Sequence, residues 1–410
     1  MGCARNLVDS EVILGRLNKK GYSIVDIDKA DIGIINTCSF IKEAKEESLE
    51  VIQRVVGLKK EGKLKKIIVT GCLPQRYHVE LAKHLKEIDA FVGRLNLEDK
   101  LDFQRYLLTE KHFAYVKICE SCNNRCSYCV IPKIKGPFKS RVMESVIKEV
   151  RGLDKKKVRE INLIGQDTTS YGRDLFGASK LSQLLQKILQ EVNNIKWVRL
   201  LYTHPNHFDD SLIEVYKKEK RLCKYIDLPL QHINDRILKL MNRKITKDKT
   251  LRLVEKIRKN IPGVAIRTSL IVGFPGETEK EFQELFKFIE EERFERLGAF
   301  IYSREESTAA YHFKGQVPEK VKQERFDLIM SRQQDIARGI NQQFMNRKMQ
   351  VLIDEKGEKG DNIYLGRTEY DAPEVDGLVY VHANKKLQPG DFASVRITDT
   401  LEYDLVGKQI

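Results

Sequence analysis

The chain has 410 residues, 41% of them hydrophobic and 32% charged, with a formal net charge of +14. That length exceeds one compact core and predicts several domains of ~100–200 residues. No run of the ~18 apolar residues needed to cross a bilayer is present and the first residues lack a secretory pattern, so the expectation is a cytoplasmic chain without a membrane partner. Eight cysteines in such a chain read as reduced thiols available to a metal or cluster rather than as disulfides.

Strand and helix patterns alternate through residues 1–105. Short apolar runs at 32–35 and 67–69 are typical of buried parallel strands. Helical spacing covers 9–18, closed by Gly21, and follows Cys38 through Ile41, Leu49, Ile52, Val55 and Val56. The fold class is therefore α/β, beginning with a small doubly wound parallel-sheet domain.

In 108–345 the pattern restarts, with strand-like runs near 115–119, 159–164, 197–202, 225–228, 265–272 and 297–302. Six strand–helix repeats are too few for a closed eight-stranded barrel and predict a partial (β/α) barrel whose chemistry lies at the carboxyl ends of its strands. A long helix, 318–347, carries Pro318 in its first turn and is expected to act as a strut. Residues 346–410 change to strand alternation at 349–353, 377–381 and 392–397, which predicts a small antiparallel β-barrel.

The strongest chemical signal is CxxxCxxC, formed by Cys122, Cys126 and Cys129 directly after the first strand of the central domain. Three thiolates so spaced hold three irons of a 4Fe–4S cluster and leave the fourth open to a ligand. Cys119 extends the run to CxxCxxxCxxC, which raises the alternative of a zinc knuckle. Zinc pairs of CxxC are normally a dozen or more residues apart, and only three separate Cys122 from Cys126. Strand alternation puts Cys119 on a face with Tyr115 and Lys117, as a small packing residue.

Cys38 and Cys72 each follow an apolar strand, and Cys3 precedes the first helix. All three can reach the carboxyl edge of the first sheet, where ligands bind in open α/β folds. Singly, each would more often be a buried small hydrophobe; their agreement in placement favours a shared site.

The three-cysteine loop resembles the signature of the radical S-adenosylmethionine superfamily. That resemblance implies an open iron that chelates S-adenosylmethionine and cleaves it to a 5′-deoxyadenosyl radical. It also implies cofactor contacts from Gln166 and Asp167 after the second strand, and from Ser269, Gly273, Gly276 and Glu277 after the fifth. Over nearly its whole length the chain is similar to the methylthiotransferases within that superfamily. Matching stretches are Gly2-Cys3-Ala4-Arg5-Asn6-Leu7-Val8-Asp9-Ser10-Glu11, Asn36-Thr37-Cys38 and Gly71-Cys72-Leu73-Pro74, together with a C-terminal domain like the TRAM barrel. The likeness implies a second 4Fe–4S cluster, the auxiliary one, on Cys3, Cys38 and Cys72. It further implies S-adenosylmethionine as both methyl donor and radical source, an electron donor such as flavodoxin or ferredoxin, and a sulfur donor. No general base is nominated, because the cofactors perform the difficult step. Members of the family carry a β-strand ahead of the first cysteine, whereas this chain starts two residues before Cys3; the first sheet is expected to be short of that strand and the auxiliary cluster less stable for it.

One branch of the family modifies an adenosine of transfer RNA and another an aspartate of small-subunit ribosomal protein twelve. The accessory stretches Asn6-Leu7-Val8-Asp9-Ser10-Glu11, Gln166-Asp167-Thr168-Thr169-Ser170-Tyr171-Gly172, Gly366-Arg367-Thr368-Glu369-Tyr370-Asp371-Ala372-Pro373-Glu374-Val375-Asp376-Gly377 and Tyr403-Asp404-Leu405-Val406-Gly407 resemble the protein-modifying branch. Charge leads the same way: residues 346–410 hold nine Lys plus Arg against twelve Asp plus Glu, whereas an RNA-binding barrel should show a basic face to phosphates. An acidic barrel suits a basic ribosomal-protein loop, and the basic remainder suits approach to ribosomal RNA beside it. From a different class, a zinc-stapled RNA- or ribosome-binding module is the competing expectation.

Overall fold

Burial alternates along Ile32–Thr37 and rises to continuous burial at the end of Lys66–Gly71, the pattern of strands covered on both faces. In the computed structural model, which describes residues 2–94, 105–357 and 362–410, these are β1 and β2. They pair in parallel from Ile32 opposite Lys66 to Thr37 opposite Gly71, and β3 (Ala90–Val92) extends the sheet in the order β1-β2-β3. Helices α1 (Ala4–Lys19), α2 (Lys42–Lys60) and α3 (Cys72–His84) accompany it, with Ile35, Ile52, Val55, Ile67, Val69 and Leu73 in the core.

Helix α1 begins five residues before the expected position. Cys3 caps it in extended conformation, its carbonyl accepting from the amides of Asn6 and Leu7 at 2.8 and 3.1 Å. The polar first turn concealed this start from a reading based on apolar spacing. The chain forms two compact units. The first comprises Met1–Leu108, Cys119–Arg141 and Ser303–Tyr311, and so joins the β1-β2-β3 sheet to the three-cysteine loop. Within it, Glu305 is 2% exposed and takes Arg76 at 2.8 Å and Lys45 at 3.0 Å, which fastens the Ser303–Tyr311 segment.

The second unit comprises Thr109–Ile118, Val142–Tyr302 and His312–Ile410. Its strands β4 (Phe113–Lys117), β5 (Glu160–Ile164), β6 (Trp197–Leu200), β7 (Leu222–Asp227), β8 (Ala265–Val272) and β9 (Arg296–Ile301) form one open, all-parallel sheet in the order β9-β8-β7-β6-β5-β4. This is the expected six-repeat partial barrel. Cys119, expected at the end of its first strand, lies past it: β4 stops at Lys117, and Cys119–Glu120 pairs antiparallel with Lys139–Ser140. Ser121 at φ 67° turns the chain there. Cys119 is nonetheless fully buried.

The long helix, Glu319–Asn341, is no free strut. Ile329, Gln333, Ile336 and Ala337 are buried as it packs along β9, and Gln333 donates to the carbonyl of Phe294 at 2.9 Å. Pro318 is its cap rather than its first residue.

Strands β10 (Lys348–Lys356), β11 (Ile363–Arg367), β12 (Val379–His382), β13 (Phe392–Thr400) and β14 (Leu405–Gln409) close a five-stranded barrel around Val351, Ile353, Val379, Val381, Val395 and Ile397. Its pairings are antiparallel except β12 with β14, which is parallel.

Between β11 and β12 runs the motif from Gly366 to Gly377, and it plugs the amino-terminal side of the (β/α) sheet. Arg367 bonds Glu160 at 2.7 Å, Asp371 receives Arg296 at 2.5 Å, and Asp376 accepts from the Tyr225 hydroxyl at 2.6 Å. Glu160 and Arg296 are the first residues of β5 and β9, so the motif meets these strands at their amino ends. This corrects the charge argument: Asp371 and Asp376 face inward to arginines, as does Asp354 toward Arg367 at 2.8 Å. Their negative charge is neutralised inside the fold rather than displayed to a basic partner. Glu358 and Asp361, also in that count, lie outside the described residues.

Candidate metal centre

The first unit contains all six candidate cluster cysteines, and none of the chain's eight cysteines is paired in a disulfide. Side-chain hydrogen bonds draw Cys3, Cys38 and Cys72 to one sheet edge. Asn6 of α1 donates to the carbonyls of Asn36 and Thr37 at 3.3 and 3.4 Å, while Asn36 returns a bond to the Asn6 carbonyl at 2.9 Å. Cys3 is thereby set beside the end of β1. Thr37 then bridges to the next strand, donating to the Thr70 carbonyl at 2.7 Å and accepting from the Leu73 amide at 3.3 Å. From α2, Ser48 donates to the Cys38 carbonyl at 2.9 Å and accepts from its amide at 3.1 Å. Two glycines permit the approach. A side chain on Gly2 would meet the Cys38 Cβ at 3.0 Å, and one on Gly71, at φ 101°, would strike Asn36 and the backbone of Thr37.

The three thiols are electrostatically unequal. Burial would raise Cys3, but the charge and hydrogen bond of Arg5, whose Nε lies 3.4 Å from the sulfur, bring it down to about 7. Burial pushes Cys38 up and Cys72 up to about 11, and the latter is opposed mainly by the ammonium of Lys135. Cys3 also raises Cys38, and both raise Cys72, as neighbouring thiols do.

In the three-cysteine loop, Ser121 donates to the Gly136 carbonyl, and Asn123 accepts from the Phe138 amide at 3.3 Å, which closes the loop on itself. The amide and side chain of Asn124 point at the Cys122 sulfur from 3.4 and 3.1 Å, the N–H···S contacts that tune cluster thiolates. Cys129 is pushed up to about 12 by burial, with Cys126 and Cys122 adding to the rise. The short helix α4 (Ile131–Lys135) follows, and Val130 and Ile134 pack with Cys72. Arg5 acts on Cys129 as well as on Cys3 and Cys38, so one guanidinium lies within electrostatic reach of both thiol sets. Among the described residues, no three His, Cys, Asp or Glu side chains, those of either thiol set included, are gathered closely enough to hold a single metal ion.

The remaining candidates belong to the second unit. Asp167 caps the turn Thr168–Ser170, accepting from Thr169 at 2.5 Å and Ser170 at 2.7 Å, and it binds His207 Nδ1 at 2.8 Å. Its burial is outweighed by that bond and by the neighbouring histidines, which hold its carboxyl well below the usual range. Gln166 stands beside it at the end of β5. Ser269 lies within β8, its carbonyl accepting from the Gln231 amide at 2.8 Å. After β8, Gly273 at φ 70° and Gly276 at φ 83° shape a tight turn, and the Gly276 amide donates to the Gly315 carbonyl at 2.7 Å. Glu277 accepts from the Phe274 amide at 3.1 Å and from Arg325 at 2.9 Å; burial nonetheless raises its carboxyl to about 7.

A model of the radical SAM superfamily matches residues 116–289, a TRAM-domain model matches 347–410, and the model described as uncharacterized protein family UPF0004 matches 1–93. The ribosomal protein uS12 methylthiotransferase RimO of Clostridioides difficile strain 630 is 45% identical over 99% of this chain and 97% of its own. That of Geobacter sulfurreducens is 46% identical over 100% of this chain and 97% of its own. The chain belongs to the RimO family. Among solved structures, the radical S-adenosylmethionine methyltransferase TsrM from Kitasatospora setae, with cobalamin and a 4Fe–4S cluster bound, superposes with a TM-score of 0.51 at 14% identity over 73% of this chain and 72% of that one. At that identity the likeness is one of fold.

Several residues of this RimO-family chain had no sequence signal strong enough to nominate them. Arg5 and Lys135 act on cysteines that lie far from them in sequence. His204 and His232 follow β6 and β7, and each ring Nδ1 accepts the amide two residues on, at 3.3 and 3.0 Å. The shared pattern His-x-Asn after a strand, in His204-Pro205-Asn206 and His232-Ile233-Asn234, was the available clue.

Proposed function

We propose that this chain methylthiolates an aspartate of ribosomal protein uS12, replacing a hydrogen on the β-carbon by a methylthio group. Cys122, Cys126 and Cys129 would hold the 4Fe–4S cluster that binds S-adenosylmethionine, and Cys3, Cys38 and Cys72 the auxiliary one. When bound, these groups supply a 5′-deoxyadenosyl radical from one S-adenosylmethionine, which leaves as deoxyadenosine with the substrate hydrogen, and join sulfur from a donor to the methyl of a second. The electron comes from a reductant of the flavodoxin or ferredoxin class.

The residues present suit that assignment. Free thiols stand in two sets of three, and amides and Arg5 are directed at the sulfurs. The observation that carries the reading is the reach of Arg5 to both sets within one compact unit, because sulfur insertion demands that the two clusters work on one substrate. Gly273 and Gly276 supply backbone without side chains for a nucleoside. Gln166, Asp167, Ser269 and Glu277 are assigned to the same cofactor.

Mass spectrometry of uS12 from cells lacking the gene tests this: one aspartate should be lighter by roughly 46 Da, the mass of CH₂S. An unchanged aspartate, with the loss found on transfer RNA instead, would move the activity to the adenosine-modifying branch.

A further inference from the structure

Lys135 ends α4 and is 5% exposed. Its ammonium lies 3.0 Å from Glu120 and 3.5 Å from Asp9, which are 2% and 4% exposed. Asp9 is on α1, the helix that Cys3 caps; Glu120 stands two residues before Cys122; and α4 packs on Cys72 through Val130 and Ile134. A charge buried this deeply is a poor source of stability, since apolar replacements of buried ion pairs are often neutral or better. Its location is more informative. Ile134, the residue before Lys135, packs against Cys72 in one buried cluster.

We infer that Lys135 is a positioning residue for the auxiliary cluster: an ammonium fixed by Asp9 and Glu120 beside Cys72, where it stabilises the more negative, reduced form of a cluster held by Cys3, Cys38 and Cys72. The inference rests on the two-cluster reading above. Reduction would add an electron to that cluster, and Coulomb attraction to a nearby cation in a protein interior is large enough to shift the equilibrium about tenfold. The carboxylates keep the ammonium in place and charged, with Arg94 3.9 Å from Glu120 as a second cation.

The test uses full-length, anaerobically reconstituted protein in which Cys122, Cys126 and Cys129 are replaced by Ala, so that the auxiliary cluster alone is titrated by EPR. If that background holds no iron and sulfide, the two-cluster reading fails. If it does hold them, Lys135→Met is expected to lower the reduction potential by about tenfold in the equilibrium, ~59 mV for one electron, and Lys135→Arg to restore it. Loss of the cluster in Lys135→Met but not in Lys135→Arg also supports the inference, because Lys135→Arg keeps the cation that Lys135→Met removes. An unshifted potential in Lys135→Met, or loss of the cluster in both variants, overturns it.

Discussion

Arg367 of the C-terminal barrel bonds Glu160 of β5 at 2.7 Å, with side-chain exposures of 2% and 0%. Glu160 also accepts from Arg199 at 2.9 Å, and Arg367 reaches Asp354 at 2.8 Å. Together with Asp371 on Arg296 and Asp376 on Tyr225, Arg367 thus packs the C-terminal residues against the amino-terminal side of the strands.

Removing one partner of such a network leaves a buried charge uncompensated. Arg367→Met and Asp371→Ala should each destabilise the protein by about 3–5 kcal/mol. Glu402→Ala, which breaks the exposed pair with Arg338 at 49% and 41% exposure, should leave stability nearly unchanged. Urea unfolding of the three variants checks the contrast.

Thiolate character should make the cysteines of cluster-free protein react unequally. With its thiol near 7 and only half-buried, Cys3 is expected to be alkylated by iodoacetamide at pH 7.5 well before Cys72, near 11, or Cys129, near 12. Arg5→Ala should slow Cys3 severalfold. Peptide mapping by mass spectrometry follows both.

Glu277 has a folded-state carboxyl near 7, above its ordinary value of 4.5. The folded state thus holds its proton more tightly than the unfolded chain. The stability it contributes is fully present below about 4.5 and declines as pH rises through about 7, by on the order of 3 kcal/mol. Glu277→Gln should flatten that part of the stability–pH curve. An unchanged slope would contradict the assignment.

Thr37 spans the ends of β1 and β2 with two hydrogen bonds. Thr37→Val removes both and should weaken the local fold by about 1–3 kcal/mol. Iron bound through Cys3, Cys38 and Cys72 should fall, while iron on the Cys122 loop is retained, as measured in variants that carry one thiol set at a time.

How much of this was legible in the sequence depended on the range of the interaction. Period and punctuation located β1, β2, all six strands of the partial barrel and the long helix, because burial of a strand or helix face is written locally. The three-residue β3 and the strands Ile363–Arg367 and Leu405–Gln409 were too short or too polar to stand out. Both thiol sets were nominated from spacing and strand ends. Their neighbours were not: Arg5, Lys135, Asp9 and Glu120 meet only after segments distant in the chain condense, and no local period encodes that. The charge count over 346–410 overstates outward acidity for a related reason, since composition does not tell an outward carboxylate from Asp371 facing Arg296 at 2.5 Å.

The central claim is that the Cys122 loop presents an open iron to S-adenosylmethionine. Anaerobically reconstituted, reduced protein incubated with S-adenosylmethionine and analysed by liquid chromatography should release methionine and 5′-deoxyadenosine, and the Cys126→Ala variant should release neither. Intact S-adenosylmethionine in the presence of fully loaded, reduced protein would contradict the account.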